Sequence, residues 1–186
     1  AAQSIRFKAT GEDDAMTGAR AAYKSLRTVF TFGEKEGVRG FMGKPFHFEY
    51  SAHTTGDQYL HTLWGLWSFY PIASSAEQAE VHDMIVAMAD YQIKVDYTIF
   101  NRIGGDWNNR LDPTDYNAIM AAIVAAAYKL TGEQKYREAY EFVMLSSKWR
   151  THRRLDDIIE EFQNGTYEAK PWDVIAKADV EGGEFA

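Results

Sequence analysis

Apolar residues recur at intervals of three and four through most of the chain, the spacing of helices that bury one face. Over 13–31 they fall at Met16, Ala19, Ala22, Tyr23, Leu26, Val29 and Phe30, which predicts a first helix. The next stretch, 33–50, carries Gly33, Gly37, Gly40, Gly43 and Pro45. That density of glycine predicts a long loop, with a short strand at 46–50. A long aromatic loop in a compact domain is usually functional. A second helix is expected from Thr55, where Thr55 and Gln58 have capping-box spacing, to Pro71. A third is expected from Ser75, with Gln78 completing a box, to about residue 97.

A polar loop over 101–113 precedes a helix at 114–130 that is small or apolar on nearly every face, closed by Thr131-Gly132. Further helices are predicted over 133–148 and 151–162, followed by a loosely packed tail at 170–186. The fold class expected is all-α: one domain of stacked antiparallel helical hairpins spanning 1–186. Helix 114–130 has only about five others to cover it, and water against such a face is costly. The expectation is therefore self-association or a lost C-terminal half, with Ile119, Ile123 and Ala126 on the uncovered flank. The competing account has Trp149, Phe162 and Trp172 folding back over it.

Composition removes several classes of function. The 186 residues are 46% hydrophobic and 25% charged, which suits a single domain with its own core and excludes general disorder. There is no cysteine, so disulfides, thiolate metal sites and a cysteine nucleophile are excluded. A net charge of −7 argues against nucleic acid and anionic lipid as partners. No apolar run approaches the roughly 18 residues of a membrane span, so no membrane partner is expected. The start Ala1-Ala2-Gln3 matches what a small-residue cleavage site leaves, and Asn164-Gly165-Thr166 fits a glycosylation triplet. Both favour a secreted or periplasmic protein.

Candidate chemistry is concentrated in 46–61, which holds His47, Glu49, Tyr50, His53, Asp57, Tyr59 and His61 around a predicted helix start. Asp57 and His61 stand four apart, on one helix face, as a carboxylate and imidazole placed for proton transfer. The plainer alternative is that Asp57 caps the helix and His61 packs. His53, Asp57 and His61 also repeat every four residues, but His53 precedes the helix and no short metal signature is present. No metal or cofactor is assigned. Trp64 and Trp67 add an aromatic face, serving either as core or as a platform for a sugar ring. The run Asp106-Trp107-Asn108 mixes hydrogen-bonding groups with an aromatic, as a polyhydroxylated ligand requires; a plain inter-helix loop is the alternative.

The segments Thr54-Thr55-Gly56-Asp57-Gln58-Tyr59-Leu60-His61-Thr62-Leu63-Trp64-Gly65-Leu66-Trp67 and Tyr128-Lys129-Leu130-Thr131-Gly132-Glu133-Gln134-Lys135-Tyr136 resemble helical-hairpin repeats of α/α-toroid proteins. The group they are most similar to is the six-hairpin glycosidase-like one, with its unsaturated uronyl hydrolases and polysaccharide lyases. The resemblance extends over 13–162. It implies a partial toroid whose loops and inner-helix ends bind acidic or neutral glycans. A complete toroid needs about twice the helices offered here, so this is a fragment, half of a toroid completed by a second copy, or a smaller helical domain.

On that resemblance the chain binds a carbohydrate, or hydrolyses or eliminates a uronic-acid-containing polysaccharide. If it is an enzyme, Asp57 or Glu49 is the general acid/base and His61 or Tyr59 the proton carrier. Arg39 would neutralise a substrate carboxylate, with His53, Trp64, Asp106, Trp107 and Asn108 binding substrate. The rival from another class is a non-catalytic helical-repeat domain that grips a protein partner. Tryptophans converging with Asp57 and His61 on a pocket favour the first. Tryptophans buried between helices favour the second.

Overall fold

The computed structural model describes residues 1–46, 49–50, 54–95, 97–100, 108–110, 115–145, 160 and 163–165. Over these the fold is all-α, with two short antiparallel ribbons. Helices α1 (Ala2–Thr10) and α2 (Asp13–Lys35) are followed by strands β1 (Pro45–Phe46) and β2 (Glu49–Tyr50). Then come α3 (Gly56–Phe69), a single tight turn at Tyr70–Ile72, α4 (Ser75–Lys94), strands β3 (Thr98–Phe100) and β4 (Asn108–Arg110), α5 (Asp115–Thr131) and α6 (Gln134–Leu145). Pro45 pairs with Tyr50 in the first ribbon, and Thr98 with Arg110 in the second. The helix expected at 151–162 and the tail at 170–186 fall almost wholly outside the described residues. Among the described residues no helix is long and apolar enough to cross a membrane.

Helix α1 had no counterpart in the apolar pattern. The only residue it buries is Ser4, while Ile5 points outward, 52% exposed. Its turn into α2 uses Gly11 at φ 72° and an ion pair from Arg6 to Glu12 and Asp14. Helix α4 is capped one residue earlier than expected. The Ser74 hydroxyl accepts from the Glu77 amide at 3.4 Å and the Glu77 carboxylate accepts from the Ser74 amide at 2.8 Å, a complete capping box. The expected box at Thr55 and Gln58 does not form, because the Thr55 hydroxyl donates to the Asp57 carboxylate instead. Gly132, at φ 71°, closes α5 as expected.

The core is one cluster running from Ala19 and Tyr23 of α2 to Tyr136 and Val143 of α6. Helix α3 touches α1, α2, α4 and α5, and α5 touches α3, α4 and α6. This arrangement covers the apolar helix. Ile119 and Ile123, expected on an open flank, are buried within the single chain, and Ala126 is half-buried. The flank expected to be open is thus covered by described helices of the same chain, while Trp149, Phe162 and Trp172, the competing cover, lie outside the described residues. Along the outside, α2 and α4 are tied by Arg20 to Glu77 and Arg27 to Glu80, each at 3.1 Å, and by the Tyr23 hydroxyl donating to Glu80. Exposed ion pairs of this kind contribute about 0–1 kcal/mol each.

Candidate functional site

The glycine-rich segment after α2 serves packing. Phe41 and Met42 are fully buried, and the Phe41 ring meets Tyr91 of α4 edge-on at 6.1 Å. Gly40, at φ 88°, passes so close to α4 that a Cβ there would lie 2.1 Å from the Ala87 carbonyl oxygen. Only glycine fits both that conformation and that approach. The function expected of this loop is thus an inward anchor over 36–44.

The anchor is held by the start of α3. The Met42 amide donates to the Tyr59 hydroxyl at 3.3 Å, and the buried Thr54 hydroxyl donates to the Met42 carbonyl. Tyr59 is 0% exposed, stacked on Tyr91 at 6.5 Å, and burial holds its hydroxyl well above the ordinary phenol range. A proton carrier exposed to substrate was expected here. The residue is instead a core phenol that satisfies a backbone amide.

One turn away, the outer face of α3 is different in kind. Asp57, Leu60, His61, Trp64 and Trp67 are all exposed, at spacings of three and four. Leu60 is 40%, Trp64 56% and Trp67 37% exposed, while Leu63, Leu66 and Phe69 on the opposite face are buried. The Thr55 hydrogen bond holds the Asp57 carboxyl below its ordinary range, opposed by partial burial and assisted by the charges of Lys44 and His61. Asp57 is therefore a fixed anion at neutral pH. It is well suited to accept hydrogen bonds.

Arg39 stands elsewhere. Its guanidinium donates to Glu34 at 2.9 Å and to Asp83 of α4, and lies 5.9 Å from the centre of the Phe30 ring. The hydrogen bond to Asp83 raises its already high pKa further. With both carboxylates engaged, it pins the end of α2 to α4. His53, Asp106 and Trp107 lie outside the described residues, as do the side chains of Glu49 and Asn108, whose backbones form β2 and β4. Among the described residues no group of three or more histidines and carboxylates is placed to hold a metal ion.

Of the ten sequence-derived candidates, the structure thus leaves Asp57, His61 and Trp64 exposed on one helix face, turns Tyr59 inward, and pairs Arg39 with Glu34 and Asp83. Leu60 and Trp67 join the exposed face. The signal for Leu60 was its position midway between Asp57 and Trp64 on one helical stripe. No family model, curated protein or solved structure matches this chain.

Proposed function

We propose that this chain is a non-catalytic helical interaction domain that presents the outer face of α3 to a protein partner. Trp64 and Trp67 are neither buried between helices nor part of the described pocket, so the criterion of pocket against buried seam selects neither reading; what carries this one is the exposed Leu60, Trp64 and Trp67, at i, i+4 and i+7. That is the anchor spacing of a helix that lays its apolar face into a partner's groove. Large aromatics left in water are also the residues that most often dominate binding energy when covered. In this reading α1 on α2 and α5 on α6 are antiparallel hairpins of a partial-toroid stack.

Photo-crosslinking in the producing organism tests it, with the reactive group placed in turn at positions 60, 64 and 67 and at Lys24, exposed on α2. Discrete adducts from the α3 positions and none from position 24 are expected. Equal adducts from all positions, or none from any, reject the reading.

A second reading, glycan binding, is favoured by Asp57 and His61 sharing that face with Trp64. An indole flanked by a fixed anion and an imidazole offers a sugar both a stacking surface and hydrogen bonds. It accords with a secreted or periplasmic location. Electrophoresis through gels containing neutral or acidic polysaccharide distinguishes it: retardation of the parent chain, lost in Trp64→Ala, selects the glycan.

A further inference from the structure

A cavity of about 210 Å³ lies between α1, α2 and α3. Its walls are mainly Ala19, Ala22, Leu26, Gly65 and Phe69, closed on one side by residues 1–4. The Tyr23 ring also lines it, but the Tyr23 hydroxyl is spent on Glu80 and stacking holds the ring 4.8 Å from Phe69. Two features of the sequence bear on this space.

The first is Gly65 in the middle of α3, where glycine is among the poorest helix formers. A Cβ at this position would lie 2.9 Å from Cδ1 of Leu26, so the bare backbone is what allows Leu26 its place in the wall. The second is the inversion on α1. Ser4 is buried at 2% exposure and lines the cavity while the neighbouring Ile5 faces water. A helix seeking only apolar cover would present isoleucine and not serine. Ser4 and Gln3 are thus the polar side chains among the residues lining its α1 side.

We infer that this cavity binds a small ligand with an apolar, ring-sized body and one hydroxyl or carbonyl group. A cavity of about 150 Å³ lined by aliphatic and aromatic side chains admits benzene. The larger volume here leaves room for one polar substituent.

Phenol and toluene, titrated separately into the full chain and followed by amide chemical shifts, test the inference. Saturable shifts confined to α1, α2 and α3 are expected with both. Ala22 is exposed at the mouth, so Ala22→Leu fills the opening without entering the core, and it should abolish the shifts at an unchanged melting midpoint. Ser4→Ala should weaken phenol about two- to tenfold and leave toluene unaffected. Absence of saturable shifts in the parent chain overturns the site, as does their survival in Ala22→Leu. Equal weakening of both probes by Ser4→Ala overturns the selection for a polar group.

Discussion

The phenolic oxygen of Tyr59 accepts the backbone amide of Met42 across 3.3 Å, joining the loop after α2 to the first turns of α3 inside the core. Thr54 takes the carbonyl of the same residue, so both backbone polar groups of a fully buried methionine are matched by residues flanking one helix start. Burial makes those hydrogen bonds necessary, because an unpaired amide in that position keeps its full desolvation penalty.

Tyr59→Phe therefore has a defined outcome. The ring still stacks on Tyr91, but the Met42 amide loses its acceptor. A loss of about 1–3 kcal/mol is expected in urea unfolding, seen as a lower midpoint at unchanged slope. Binding at the outer face of α3 should not change, since Tyr59 is fully covered. A loss of binding in a variant that remains folded would return Tyr59 to the candidate site.

Gly40→Ala should be far more damaging than its single methyl suggests. The residue sits at φ 88°, and the added carbon would collide with the Ala87 carbonyl. A backbone atom cannot swing aside, so a cost above about 3 kcal/mol is expected, measured by thermal or urea unfolding. Gly37→Ala, also at positive φ but in open space, provides the comparison and should cost about 1 kcal/mol.

The two faces of α3 predict opposite mutational behaviour. Trp64→Ala should change stability by no more than about 0.5 kcal/mol, as surface substitutions do. Leu66→Ala, two residues on and fully buried, should cost about 2–5 kcal/mol. Chemical denaturation of the pair checks the assignment of faces, and a large loss in Trp64→Ala would mean that the indole is packed.

Acid stability should depend on Glu77. Hydrogen bonds from the Ser74 amide and hydroxyl, with the charge of Arg20, hold its carboxyl below the ordinary glutamate value. A carboxyl depressed by folding adds stability above its unfolded pKa, and that contribution is lost as pH falls through the folded one. Glu77→Gln should thus be less stable than the parent at neutral pH, and the gap should narrow once both are acidified below that range. Ser74→Ala, which removes the reciprocal half of the box, should cost about 1 kcal/mol at neutral pH. A gap between Glu77→Gln and parent that is constant with pH would refute the linkage.

Helices α2 to α6 were legible from their helical apolar spacing, with Pro71 after α3 and Gly132 after α5 as stop signals. Helix α1 was not, because it is short and turns a serine inward and an isoleucine outward. The faces of α3 were ambiguous for another reason: Tyr59, Leu63 and Leu66 form one helical stripe and Leu60, Trp64 and Trp67 a second, both apolar. Periodicity alone cannot tell which of two such stripes is buried. That choice is made by α4 and the 36–44 loop, which supply Tyr91 and Met42 to the first stripe. The pairing of Arg39 was not legible for a similar reason, since one of its two carboxylate partners, Asp83, lies far along the chain. The box at Ser74 was displaced by one because Ser74 and Ser75 each precede an acid or amide at the right distance.

The passage of Gly40 over Ala87 also orders events in time. The loop leaving α2 lies against α4, which the chain reaches only after α3 is complete. Its final path does not exist until α4 is in place, and the closure cost of that non-local contact delays it further. Seating of this loop on α4 is accordingly expected late in folding, and unfolding and refolding rates of Gly40→Ala check it. Weakening it should accelerate unfolding while leaving the refolding rate nearly untouched. The lifetime of the folded chain is then governed by a segment that takes little part in bringing the fold about.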